Sequence, residues 1–192
     1  MSLVFFDTET AGLKDTHPTI QLAAIAVDSG WNVLESFNMK IKFNEADADP
    51  EALRMNHYDS GIWAEEAKPE PVVVAAFDSF LQSYKSVEMV SKRTGRPYTV
   101  ARLAGHNVVT FDMPRLKRMY GERFMPAHPA ELDTYQLAMW YFYDKGDGHA
   151  PVDLKLQTLA GWFGIEAGDA HDALADVRIS IAVAKKLHGR MA

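Results

Sequence analysis

Two carboxylates stand one residue apart at the end of an apolar run, Val4-Phe5-Phe6-Asp7-Thr8-Glu9-Thr10. In an extended segment positions i and i+2 share a face, so Asp7 and Glu9 are side by side where a strand leaves the core. Each like charge raises the other's pKa unless a cation compensates. A hard divalent ion with carboxylate oxygen ligands, magnesium above all, meets that demand. Two more segments carry similar chemistry. In Leu103-Ala104-Gly105-His106-Asn107-Val108-Val109-Thr110-Phe111-Asp112-Met113-Pro114 a strand runs into a loop and then a helix. Asp112 there is either a helix N-cap or, if this strand ends beside the first, a third carboxylate at the same place. In His171-Asp172-Ala173-Leu174-Ala175-Asp176-Val177 a histidine precedes Asp176 by five residues at the entry to a last helix. A negative charge in a first helical turn is favoured by the macrodipole in any protein. Singly these residues are ordinary; together, four carboxylates and one histidine at element termini form a coherent set.

The elements that must position them follow from patterning. Residues 20–27 (IQLAAIAV) and 33–41 (VLESFNMKI) read as two more strands, joined to the first by short turns as an antiparallel meander. Pro50 and Glu51 open a short helix over 50–58. Val73, Phe77, Phe80, Leu81, Tyr84 and Val87 recur at helical spacing and predict one long amphipathic helix, ending in a basic loop at 91–97. A strand over 99–104 follows, then helices over 114–120, 133–143, 154–163 and 172–187. Asp133 and Gln136 are placed as the capping box of the second of these. Strands first, then helices interleaved with further strands, predict one α/β domain over residues 1–192 with a mixed sheet covered by helices.

No apolar stretch reaches the roughly 18 residues needed to cross a bilayer, and Met1-Ser2-Leu3 lacks a basic leader, so no membrane association and a cytoplasmic location are expected. Without cysteine, any metal must be held by oxygen or imidazole. The net charge of -6 argues against a broad basic grip on nucleic acid, yet residues 85–123 carry nine Lys/Arg against three acids. That segment is either a steering patch for a polyanion or a solvated basic face. Trp31, Trp63, Trp140 to Tyr143 and Trp162-Phe163 fall within apolar stripes and are read chiefly as core. A base-stacking platform is the alternative, and Trp140 to Tyr143 would be exposed if their helix is peripheral.

VFFDTETAGL, HNVVTFDMPRLKR and HDALADV, in this order, resemble the three exonuclease motifs of the DEDDh family, which includes polymerase proofreading subunits, ribonuclease T and oligoribonuclease. IQLAAIAV and LDTYQLA also agree with the family pattern, so the resemblance runs from about residue 4 to 187. Ala11 stands where the first motif commonly has threonine, and the basic segment at 92–98 is longer than usual.

The resemblance implies a ribonuclease-H-like fold, with a three-strand antiparallel meander plus parallel strands flanked by helices. It implies a 3′–5′ exonuclease releasing nucleoside monophosphates from single-stranded nucleic acid, DNA favoured over RNA. Asp7, Glu9, Asp112 and Asp176 would ligate two divalent ions, Mg²⁺ with Mn²⁺ able to substitute, and His171 would be the general base. Thr8, Thr10 and Leu13 would face the terminal nucleotide, with Leu13 either packing on its base or belonging to the core. Asn107 would contact substrate or brace its loop. The partners implied are 3′ ends of single-stranded DNA or RNA, and a DNA polymerase or repair complex docking through 85–123. The competing readings are a catalytically silent binding module on the same scaffold and an RNA-processing exoribonuclease.

Overall fold

A computed structural model describes residues 1–145, 148–166 and 172–191. β1 (Leu3–Thr10), β2 (Thr19–Val27) and β3 (Val33–Lys40) form the expected antiparallel meander. β1 also pairs in parallel with β6 (Leu103–Gly105), and β6 with β7 (Leu132–Asp133), giving the order β3-β2-β1-β6-β7. Both faces are covered, which is why all nine residues of β2 are buried, Thr19 and Gln21 included. One face packs against α3 (Glu70–Ser83) and α4 (Asp112–Tyr120) through Val4, Phe6, Leu22, Phe77, Leu81 and Leu116. The other packs against α7 (Ala173–Met191) through Phe5, Ala23, Ile25, Val177 and Ile181. α5 (Thr134–Phe142) and α6 (Leu156–Phe163) lie beyond, joined to α7 by Ala138, Phe142, Leu159, Phe163 and Val183.

The period-2 alternation of β1 is what builds the site. Odd positions continue the α7 face from Phe5 to Asp7 and Glu9, and even positions continue the α4 face from Phe6 to Thr8. One strand end therefore presents groups to the N-terminal ends of two helices on opposite layers.

Several expectations need correction. The 73–87 pattern stops being helical at Ser83, because Val87 belongs to β4 (Val87–Val90), which pairs with β5 (Pro97–Val100) as a separate hairpin. The strand expected over 99–104 is divided: Val100 ends the hairpin, whereas Leu103 joins the central sheet, with Ala101 bridged to Ala127 between them. The basic 92–96 segment is the tip of this hairpin and lies beyond the N-terminal end of β6, away from the C-terminal ends of β1 and β6 where the acids gather. The helix expected over 50–58 is α1 (Pro50–Met55), and a further helix, α2 (Ser60–Glu66), follows with Asp59 accepting from the Ile62 amide. Among the described residues no helix is long and apolar enough to cross a membrane.

Candidate active site

Asp7, Glu9 and Asp176 each offer a carboxylate oxygen, and the three oxygens lie within 4.8 Å of one another. The pair comes from β1; Asp176 comes from the first turn of α7, held against β1 by Ala173 and Val177. Asp112 completes the group from the other layer. It is 2 % exposed, and its Oδ1 accepts both the Thr8 amide (2.9 Å) and the Thr8 hydroxyl. Asp112 is the first residue of α4 and makes no capping bond; Phe111 occupies the N-cap position. The capping alternative thus fails, because the carboxylate turns from its own helix toward β1.

Such crowding costs free energy without a cation. Burial, then the charges of Asp112, Glu9, Asp176 and Asp172, hold the Asp7 carboxyl well above the usual carboxylate range. Burial followed by Asp176, Asp112 and Asp172 lifts Glu9 to about 7. Burial lifts Asp112 to about 7 against the opposing pull of the two Thr8 hydrogen bonds and nearby Arg115. Six carboxylates line the cleft above these residues (Asp7, Glu9, Asp49, Glu51, Asp112 and Asp176) against one ammonium, Lys155. An all-oxygen donor set of this charge fits a hard divalent ion.

The cleft has a volume of about 480 Å³ and is walled by α1, the turn after β1, the 106–112 loop and the start of α6. Thr8, Thr10, Leu13 and Asn107 all line it. Thr10 is buried and its hydroxyl donates to the Gly12 carbonyl at 2.9 Å, while the Thr10 carbonyl accepts from Asn56 Nδ2 at 2.8 Å. Leu13 is 83 % exposed, so the core alternative for it is wrong. Its carbonyl accepts from the guanidinium of buried Arg115 at 3.2 Å, and Arg118 similarly holds the Asp15 carbonyl. Asn107 adopts a left-handed φ of 58°, a conformation asparagine tolerates better than most side chains. Its carbonyl accepts the Thr110 and Phe111 amides, closing the turn that delivers Asp112. His171 lies outside the described residues.

Residues that sequence reasoning missed support these groups. Asp133 is the N-cap of α5 as expected, accepting from the Tyr135 amide at 2.9 Å, but it also accepts the Asn107 amide at 2.8 Å and the Val109 amide at 3.1 Å. Gln157 Nε2 donates to Asp176 Oδ1 at 3.1 Å. Asp172, which accepts the Ala175 amide, adds a fifth carboxylate to the field and is held by Gln21 Nε2 at 3.0 Å. His106 sets its Nδ1 2.8 Å from the Thr134 hydroxyl, and burial lowers its pKa.

The chain is similar to known exonucleases over part of its sequence and in its fold. Residues 4–95 match the family model described as an exonuclease. The chain is similar to Escherichia coli Exonuclease I in complex with a dT13 oligonucleotide, at 22% identity and a TM-score of 0.73 over 99% of this chain and 41% of that one. It is also similar to the zinc-ion-bound form of the E. coli enzyme with single-stranded DNA, at 23% identity and a TM-score of 0.75 over 98% of this chain and 40% of that one. Exonuclease I from Methylocaldum szegediense is similar at 24% identity, with a TM-score of 0.73 over 98% of this chain and 40% of that one. Just under half of the chain thus matches the exonuclease model in sequence, and nearly all of it shares the fold of these exonucleases. The matched segment holds Asp7 and Glu9, whereas Asp112 and Asp176 lie beyond it and join the acid cluster through the fold. No curated protein matches the chain. The chain spans about two fifths of the length of the solved exonucleases it resembles.

Proposed function

We propose that this chain is a divalent-metal-dependent 3′–5′ exonuclease that removes nucleoside monophosphates from single-stranded nucleic acid, DNA in preference to RNA. The observation that carries the reading is the convergence of Asp7, Glu9 and Asp176 oxygens within 4.8 Å beside an Asp112 fixed by Thr8. The donor set suits two ions: Asp7, Glu9 and Asp176 would hold one, and Asp7 with Asp112 the other, magnesium or manganese in either place. Bound divalent ions supply positive charge at the attacking water and at the leaving oxygen, the two places where phosphodiester hydrolysis accumulates negative charge.

The chain's own groups do the rest. His171 accepts the proton of the attacking water; the bond to the 3′ oxygen of the penultimate nucleotide breaks, and a 5′ monophosphate leaves. The backbone around Thr8 and Thr10 faces the terminal nucleotide, Leu13 packs against its base from the cleft edge, and Asn107 meets the sugar-phosphate from the opposite wall. Leu13 suits this role because its side chain is free while its carbonyl is tied down by Arg115. The preference for DNA rests on the deoxyoligonucleotide held by E. coli Exonuclease I. The hairpin tip with Lys92, Arg93 and Arg96, remote from the cleft, is the surface that a polymerase or repair complex would use.

The test compares matched single-stranded DNA, RNA and duplex DNA labelled at the 5′ end, with magnesium and with EDTA. Metal-dependent shortening of single-stranded DNA from its 3′ end, abolished by Asp7→Ala, is the expected result. No mononucleotide release, with Asp7→Ala behaving as the parent, overturns the enzyme reading.

A further inference from the structure

α5 leaves the cleft with large apolar side chains on its outward face, where Gln136 is the one exposed polar residue of the helix. Tyr135, in its first turn, lines the cleft, its ring edge-on to His106 at 5.8 Å between centroids. Four and eight residues on, Met139 and Tyr143 fall on the same side of the helix, with Trp140 beside them. Met139 is 52 % exposed, Trp140 74 % and Tyr143 83 %. The opposite side, with Ala138 and Phe142, is already buried against α6 and α7. A surface helix normally keeps its solvent side polar. Here Trp140 and Tyr143 instead hold each other in a near-parallel stack, 6.2 Å between centroids and 18° between planes.

We propose that this face is the track for the nucleotides just behind the 3′-terminal one, their bases stacking on Trp140 and Tyr143 and passing over Met139 to Tyr135 in the cleft. The proposal rests on the exonuclease reading above and adds to it a place for the body of the strand. Three features favour a nucleic acid strand over a protein. The row begins inside the cleft, so a strand whose end is bound there must leave along some wall. It extends about 12 Å along the helix axis, enough for more than one base, and aromatic faces accept any base without reading sequence. Ammonium groups flank it, Lys155 at the cleft wall and Lys145, 4.5 Å over the Tyr141 ring, and outnumber the one exposed carboxylate beside Tyr143, Asp144. Cations so placed suit phosphates rather than another apolar surface.

The test uses the full chain with magnesium on a dinucleotide and on a twelve-nucleotide oligothymidylate. The Trp140→Ala/Tyr143→Ala double variant is expected to hydrolyse the dinucleotide within about twofold of the parent while its KM for the oligomer rises about tenfold or more. Trp140→Phe/Tyr143→Phe, which keeps two aromatic faces, is expected to stay near the parent on both. Both positions are exposed, and circular dichroism verifies that the variants fold. An unchanged oligomer KM in the alanine variant overturns the track. So does a concentration-dependent dimer in sedimentation that the alanine variant abolishes without altering oligomer KM, since the face is then a protein interface. A parent active on the dinucleotide but with no lower KM for the oligomer overturns the track alone; a parent inert on both overturns the exonuclease reading as well.

Discussion

Removing divalent metal is expected to reverse the ordinary dependence of stability on pH. In the metal-free protein the Glu9 carboxyl titrates at about 7 instead of 4.5, and Asp112 at about 7 instead of 3.8. Between those ordinary values and 7 the folded chain holds protons that the unfolded chain has released, so unfolding free energy falls as pH rises. At about 1.4 kcal/mol per pKa unit, Glu9 alone costs about 3 kcal/mol and Asp112 about 4 kcal/mol at alkaline pH. The two share one field with Asp7 and relax together, so a combined loss of about 3–5 kcal/mol is expected, a large fraction of a typical domain's stability. The assay is urea unfolding in EDTA at about pH 5 and about pH 8 with ionic strength fixed, repeated at the higher pH with millimolar magnesium or manganese. Stability should be lower at pH 8, and metal should restore it there while doing little at pH 5, where protons occupy the same oxygens. The Glu9→Gln/Asp112→Asn variant should show a flattened profile. Equal or greater stability at pH 8 in EDTA, unchanged in that variant, would refute the electrostatic reasoning.

Other outcomes follow from the same geometry. Asp7→Asn should abolish hydrolysis yet raise the urea midpoint in EDTA at pH 8, because it removes one charge from a crowded field, and manganese should no longer stabilise it. Thr8→Val keeps the amide donor to Asp112 but loses the hydroxyl; a hydrogen bond to a charged group is worth about 1.5–3 kcal/mol. Asp112 should therefore titrate still higher, and the acid limb of kcat/KM against pH should move to higher pH. Asp133→Asn turns an amide toward three backbone N–H donors and should cost about 2–3 kcal/mol of unfolding free energy, with a larger loss of activity as the 107–109 turn loosens.

What could be read in the sequence was what is local. The two acids of β1 share a face by the strand's period of two, the meander around β2 follows from apolar stretches joined by short turns, and Asp133 is a recognisable cap. Asp112 was ambiguous because its decisive partner, Thr8, is 104 residues away, and no local pattern encodes that. The same holds for Asp133, whose reach to the Asn107 amide turns a cap into a brace. The β4–β5 hairpin was hidden because Val87 continues the helical spacing of α3 by coincidence, and only pairing with Val100 shows it to be a strand. On α5, apolar residues on every side read as core, whereas only the side toward α6 and α7 is covered. Leu13 shows the converse: an apolar residue after a turn can pack in the core or face a ligand, and only the fold, which leaves it exposed, separates the two.

The β1 acids, Asp112 and Asp176 are together expected to capture divalent cations at the place where a strand end is cut. Manganese diffused into crystals of the chain with a non-hydrolysable oligonucleotide, located by anomalous scattering, tests this directly. Peaks ligated by Asp7, Glu9, Asp112 and Asp176 at the terminal phosphate are expected; a cleft that holds the strand end with no metal at these carboxylates would rule the metal site out.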